Sequence, residues 1–102
     1  MAFDEEKKTK YKLTADVVDR EVGVTSYEEI KMIRLISKDH NLLIMEDYLP
    51  VIGEVTGMVE LVFDNSVVTM DRIHGFYMHK HNHFTLVIED KEPENEAKKE
   101  EK

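Results

Sequence analysis

The amino-acid sequence predicts an α+β fold, in which one or two N-terminal helices pack on a mainly antiparallel β-sheet of four to six strands. Apolar residues in the first third form partial helical stripes, whereas those in the last two thirds alternate with a period of two. With 102 residues, 41% of them hydrophobic, the chain suffices for one modest core. We expect one domain over residues 13–90, between a flexible N-terminal arm (1–12) and a disordered charged tail (91–102).

The first predicted helix covers residues 15–22. Thr14 is a suitable N-cap and Gly23 a suitable C-terminal stop. Between them, Val17, Val18 and Val22 form a partial apolar stripe. These signals together favour a short helix.

Residues 27–37 fit either a helix or a strand. Ser26 and Glu29 have the spacing of a capping box, which favours a helix that begins at Tyr27. The isoleucines of this stretch are β-branched and would equally suit a strand that runs through Ser37. The sequence leaves both alternatives open.

The middle of the chain predicts two strands. A short apolar run favours a strand over residues 42–48, which Pro50 then ends. The second strand covers residues 53–64, and its alternation assigns one face to the core. The core-facing residues are Val55, Val59, Leu61 and Phe63. Gly53 and Gly57 are expected to mark a turn and a bulge.

Two hairpins complete the predicted sheet. Turn residues at 64–66 connect the strand at 53–64 to a returning strand at 67–73. A second hairpin follows, with strands near residues 75–79 and 83–89. Its inward residues are Phe84, Leu86 and Ile88.

Composition restricts the class of function. The net charge of −8 opposes direct binding to nucleic acid or to anionic lipid, both of which select basic patches. The chain has no cysteine, which fits a reducing compartment. It shows no signal-peptide pattern, and no apolar run approaches the roughly 20 residues that cross a bilayer. We therefore expect a cytoplasmic protein with a basic or neutral protein partner.

Residues 39–71 contain seven acidic residues and neither Lys nor Arg. On one face of a strand, with a rise of roughly 3.3 Å per residue, Glu54, Glu60 and Asp64 would stand about 20 Å and about 13 Å apart. Acids on neighbouring strands would fill the gaps, so that a rigid sheet could present a DNA-like potential. The alternative is that these carboxylates only maintain solubility. The candidate partner-binding residues are Glu46, Asp47, Glu54, Glu60, Asp64 and Asp71.

In this charge distribution, seven acids without an intervening base, the chain resembles the small acidic inhibitors made by bacteriophages, some of which imitate DNA to block a host DNA-binding protein. The resemblance implies a non-enzymatic inhibitor, acting in the host bacterial cytoplasm, of a basic protein such as the histone-like HU. The alternative is a structural or assembly subunit that acts through β-sheet self-association. Because Met58, Val62 and Val87 have the outward parity of their strands, we also expect a homodimer.

No catalytic, phosphate-binding or dinucleotide motif occurs in the sequence, so neither an enzyme nor a cofactor is expected. His79, His81 and His83 alternate, and on a continuous strand they would place three imidazoles on one side as candidate ligands for zinc, copper or nickel. A hairpin tip in HKHNH would separate them. The sequence therefore favours solvated turn histidines over a metal site.

Overall fold

The computed structural model describes residues 10–92, and within this range the protein consists of β-strands without any helix. Seven strands form one mixed sheet in the order β2-β1-β7-β6-β5-β3-β4, in which β1 and β7 are parallel and all other neighbours are antiparallel. The predicted α+β class, with its N-terminal helices and four to six strands, is therefore wrong. The strands are β1 (Leu13–Asp19), β2 (Gly23–Ile30), β3 (Met32–Ser37), β4 (Asn41–Ile44), β5 (Val51–Val62), β6 (Val67–Lys80) and β7 (His83–Lys91).

Strand β1 replaces the helix predicted at residues 15–22. Leu13, Ala15 and Val17 are all buried, a period of two that a helix cannot bring to one face. The helical interpretation over residues 15–22 took Val17, Val18 and Val22 as its apolar stripe and overlooked the period of two that Leu13 and Ala15 form with Val17. Parallel pairing with β7 places Ala15 beside the buried Phe84, so this face of β1 is part of the core.

Residues 27–37, for which the sequence left helix and strand open, belong to strands β2 and β3, which only Lys31 separates. The groups of the apparent capping box bond elsewhere: Ser26 Oγ donates to the Asp16 carboxylate at 2.7 Å, and the Glu29 carboxylate accepts the Lys10 backbone N–H at 3.1 Å. Glu29 has φ +60 and lies in a β-bulge where the register against β1 shifts. The bulge allows both Tyr27 and Ile30 to face inward.

The short link between β2 and β3 rolls the sheet. The two strands lie near opposite ends of the strand order, yet only Lys31 separates them in sequence. The Lys31 N–H donates to the Val62 carbonyl at 2.8 Å, and the Tyr27 ring lies 6.1 Å from the Phe63 ring, centroid to centroid. The inner face of the rolled sheet therefore encloses one core.

Strand β6 is a single strand, where the sequence predicted two at residues 67–73 and 75–79. A bulge at Asp71 and Arg72, the latter with φ +58, shifts its register against β5. Val68 and Met70 face inward before the bulge, and the inward residues after it are Ile73, Gly75, Tyr77 and His79. The β-bulge therefore reverses the alternation within one strand, which a strict period of two cannot describe.

The core faces predicted for β5 and β7 agree with the structure, whereas Gly53 lies inside β5 and not at the expected turn. Val55, Val59 and Leu61 of β5 are buried and Phe63 packs against them. The second hairpin is confirmed: His81 and Asn82, with φ of +51 and +63, form the two-residue turn between β6 and β7. Its inward residues Phe84, Leu86 and Ile88 are buried, as predicted.

Strand β4 is shorter than predicted. It ends at Ile44, and residues 45–50 form a loop in which Asp47 has φ +63. Residues 1–9 of the predicted arm and 93–102 of the predicted tail lie outside the described residues. Between residues 10 and 92 there is no helix that could cross a membrane.

Gly57 lies in β5 opposite the β6 bulge, with φ +154 and with the Ile36 carbonyl oxygen where a Cβ would stand. We expect Gly57→Ala to lower the free energy of unfolding by about 2–4 kcal/mol, since backbone strain and a backbone collision coincide. Gly23→Ala is the matched control, because Gly23 has φ +97 but open space around it, and it should lose only about 1–2 kcal/mol. Urea denaturation measures both, and equal losses would contradict the collision.

Candidate interaction surface

The structure separates the six predicted partner-binding acids into four places. Glu46 and Asp47 lie in the loop between β4 and β5, and Asp64 lies in the turn between β5 and β6. Glu54 and Glu60 point outward from β5, and Asp71 lies at the β6 bulge. Most of these acids contact other residues of the chain.

The loop acids hold the chain segment that leads into β1. A Glu46 carboxylate oxygen accepts the Lys12 backbone N–H at 2.6 Å, and the Lys12 ammonium lies 3.9 Å from the Asp47 carboxylate. The Asp47 N–H in turn donates to the Asn82 side-chain oxygen at 2.7 Å, which joins this loop to the β6–β7 turn. These two acids thus have a structural role.

Asp64 binds the same segment at Lys10 and Tyr11, just before Lys12. Its carboxylate accepts hydrogen bonds from the Lys10 ammonium at 2.9 Å and from the Tyr11 hydroxyl at 2.8 Å. The Lys10 bond is the main cause that lowers the pKa of Asp64, and the Tyr11 bond adds to it. The same contact raises the pKa of Lys10 above its ordinary value.

The acids of β5 also have cationic or basic neighbours. Arg34 on β3 lies 3.0 Å from the Glu60 carboxylate, and the imidazole of His74 on β6 lies 2.7 Å from the Glu54 carboxylate. Asp71 accepts the Arg72 backbone N–H and has no ion-pair partner among residues 10–92. The bases that contact five of the six acids all come from outside residues 39–71, so the sequence segment alone could not reveal them.

Across the outside of the sheet runs an exposed apolar surface, which we call the outer apolar patch. Ile52 of β5 pairs with Met78 of β6, and Phe76 of β6 pairs with Val87 of β7. Val18 of β1 pairs with Val87 on one side and with Val24 of β2 on the other. Ile52 is 75% exposed and Val24 is 64% exposed, although both are large aliphatic residues. The patch consists of Val18, Val24, Ile52, Phe76, Met78 and Val87.

Sequence reasoning found only one member of the patch, Val87. Met58 and Val62, which it also placed on the outer surface, are half-buried and pair with β3 residues. The alternation of Phe76 and Met78 with the inward Tyr77 and His79 indicates in the sequence that they face outward. That they form part of a patch depends on the register of five strands. The centre of the patch is a shallow depression over Gly53, lined by Ile52, Phe76, Met78 and Val87.

Acidic groups border the patch. Glu54 stands next to Phe76 in the ladder, and Glu89 lies 3.9 Å from His74, whose ring is 6.1 Å from that of Phe76. Asp16 is the neighbour of Thr85, which itself pairs with Met78. An apolar centre with an acidic margin is the chemical character of this surface.

A hydrogen-bonded chain runs beside the patch from Ser26 through Asp16 and His83 to Thr14. The His83 ring contacts Asp16 at 3.2 Å and the Thr14 hydroxyl at 2.6 Å, and the Ser26 bond is the main cause that lowers the pKa of Asp16. A hydroxyl, an imidazole and a carboxylate in series are the components of a nucleophilic triad. Here they occupy neighbouring outward positions of β2, β1 and β7, and none of them lines the depression over Gly53. We therefore interpret them as cross-strand polar contacts.

The three alternating histidines do not converge. His79 faces the core, His81 lies in the turn, and His83 points outward to Thr14 and Asp16. Among residues 10–92 no group of three His, Asp or Glu side chains could share a metal ion. The hairpin tip separates the ligands, as the alternative interpretation of HKHNH required.

His79 is a buried imidazole whose two ring nitrogens have no hydrogen-bond partner among residues 10–92. Its ring lies 6.2 Å from that of Tyr48 and 6.4 Å from that of Phe84, measured between centroids. Burial is the main cause that lowers the pKa of His79, with a smaller contribution from His83. Burial therefore favours the neutral form of this imidazole in the folded protein.

The chain matches no protein-family model and no curated protein. The character of the outer apolar patch therefore rests on its own geometry, an apolar centre with an acidic margin.

We expect acid to destabilise the protein through His79. Since its pKa is lower in the folded state, the unfolded chain takes up the proton first, and stability present above pH 6.5 is lost as the pH falls. One such group contributes at most about 1.4 kcal/mol per pH unit. His79→Leu should remove this part of the slope between pH 7.5 and pH 5, measured by urea denaturation, whereas His81→Asn should keep it. An unchanged slope in His79→Leu would contradict the assignment.

Proposed function

We propose that the protein is a non-enzymatic assembly subunit that docks onto another protein through its outer apolar patch. The observation that carries the proposal is the position of the patch on the outside of a sheet whose inner face already encloses the core. Contiguous exposed apolar surface of this kind marks sites of protein association. An exposed Phe and Met in the centre are among the residues enriched at such interfaces.

The partner that fits this surface has an apolar strip flanked by Lys or Arg. The acids at the margin, Asp16, Glu54 and Glu89, would face those cations, and the net charge of −8 would favour encounter with a basic surface. Pairing of two copies face to face would bring like charges of the two margins together. The geometry therefore favours a different protein as partner over the expected homodimer.

The strands at the two ends of the sheet order support docking by the face rather than by edge pairing. Strand β2 carries Glu28 and the bulged Glu29 at one end, and β4 at the other end has only four residues. Charges, bulges and short strands are the features by which sheets resist edge-to-edge association. Self-association through these strands is accordingly the weaker form of an assembly role.

Mimicry of DNA by the six acids stays a prediction. It is favoured by Asp71, which is exposed, and by the outward position of Glu54 on β5. Against it, contacts within the chain use Glu46, Asp64 and Glu60, which reduces the charge they present as a continuous lattice. Docking through the patch and mimicry differ in their dependence on salt and in the residues they require.

The test replaces patch residues by threonine, which keeps β propensity: Ile52→Thr, Phe76→Thr and Val87→Thr together. Tagged full-length protein is incubated with nuclease-treated lysate of its source cells, and retained proteins are quantified by mass spectrometry. We expect one protein to be retained by the wild type and its retention to fall at least tenfold with this variant. Retention should decrease only modestly as salt rises, because salt screens the charged margin and not the apolar centre. The matched control replaces three exposed apolar residues outside the patch: Val22→Thr, Leu43→Thr and Leu49→Thr.

A second variant separates the two functions. Glu46→Gln, Glu60→Gln and Asp64→Asn together, at three acids outside the margin of the patch, should leave retention within about twofold if the patch carries binding. The proposal is overturned in favour of mimicry if this variant loses retention, if retention of the wild type depends steeply on salt and if the patch variant is still retained. Sedimentation of the pure protein adds a further check, because a dimer that dissociates in the patch variant would show that a second copy covers the patch.

A further inference from the structure

In the part of the chain that the structure describes, strand β6 has one unpaired edge at its beginning. Before the bulge, residues 67–70 pair with β5 on one side, and Asp71 begins the bulge. On the other side the ladder with β7 starts at Ile73, and the last bond of this side is from the Glu92 N–H to the Arg72 carbonyl at 2.8 Å. Within residues 10–92 no strand continues along this edge, so the backbone groups of residues 67–71 that point away from β5 lack a ladder partner.

The unpaired edge borders a cleft of about 330 Å³ between β2 and the beginning of β6. The floor of this cleft consists of core side chains that the rolled sheet leaves accessible: Val17, Tyr27, Met70, Ile73 and Ile88. Val68 and Met70 are only half-buried, although they face inward, whereas Tyr77 and His79 farther along β6 are buried. The sheet is therefore open on one flank.

The rim of the cleft carries carboxylates that differ in their availability. Asp19 is held by the Lys91 ammonium at 2.6 Å, which is the main cause that lowers the pKa of Asp19. Asp71, at the end of the unpaired edge, is exposed and has no ion-pair partner in the described part of the chain. A cation brought into the cleft would find its counter-charge at Asp71.

We infer that this cleft binds an extended segment of another protein, which adds a strand to the edge formed by residues 67–71. The bound segment presents apolar side chains to the cleft floor and a Lys or Arg to Asp71. Main-chain hydrogen bonds supply affinity and the alternate side chains supply specificity, which is the physics of strand addition. This inference is independent of the outer apolar patch, since the cleft opens to the inner face of the sheet.

The residues of this edge differ from those of the strands at the ends of the sheet order. The sequence VVTM at 67–70 has high β propensity and no charge, and Val67 is 52% exposed. Strand β2 carries two glutamates and a bulge, and β4 is four residues long. An edge whose first four residues are uncharged, next to an apolar cleft, is the site in this sheet where added pairing meets the least resistance.

The experiment titrates the full-length, isotope-labelled protein with a ten-residue peptide of alternating valine and lysine. A control peptide of the same sequence carries N-methyl groups on alternate residues, so that its charge and apolar content remain while one hydrogen-bonding side is lost. We expect the unmodified peptide to bind at least tenfold more tightly. We also expect it to slow hydrogen exchange at least tenfold at those amides of residues 67–71 that do not pair with β5.

Asp71→Lys should weaken peptide binding at least fivefold, whereas Asp39→Lys, an equal charge change at an exposed residue outside the cleft, should alter it less than twofold. Equal binding of the two peptides, or protection only at other amides, would overturn the inference. It would also fail if the same amides exchange slowly before peptide is added, because the chain itself would then occupy the edge.

Discussion

The single residue between β2 and β3 is the constraint on which the rest of the structure depends. Lys31 connects two strands that lie near opposite ends of the strand order, and no flat sheet can satisfy that connection. Rolling brings Tyr27 against Phe63 and gathers apolar residues from each of the seven strands in one interior. It also defines an outer face, which carries the outer apolar patch, and it leaves the cleft between β2 and β6 accessible.

The contacts of the acidic residues show how the rolled sheet uses charge. Lys10 and Lys12 reach Asp64, Glu46 and Asp47, so the segment before β1 is held to the loops at one end of the sheet. A charge count along the chain separates these residues, whereas the fold places them in contact. Each exposed ion pair contributes little to stability by itself, in the range of about 0–1 kcal/mol. Together the pairs place positive charge beside the acids of residues 39–71. The surface that these acids form is therefore less uniformly acidic than the sequence indicates.

Much of the sheet could be predicted because its hydrophobic pattern is local. Val55, Val59 and Leu61 in β5, and Phe84, Leu86 and Ile88 in β7, alternate without interruption, so a period of two identifies their buried face. The N-terminal strands could not be recognised in this way. The bulge at Glu29 breaks the alternation of β2, and the strand character of Leu13 and Ala15 depends on parallel pairing with a segment about 70 residues away. The patch was missed for the same reason, since its members come from five strands and meet only through their register.

The bulge at Asp71 and Arg72 explains why two different surfaces arise from one strand. After the bulge, β6 lies between β5 and β7, its inward residues are buried, and its outward Phe76 and Met78 form the centre of the outer apolar patch. Before it, β6 pairs with β5 alone and borders the cleft, because the β7 ladder ends where the bulge begins. A β-bulge redirects side chains and ends pairing at the same point. A partner that covers the patch and a segment that enters the cleft would therefore contact opposite faces of the same strand, and one protein could make both contacts only by wrapping around the open flank.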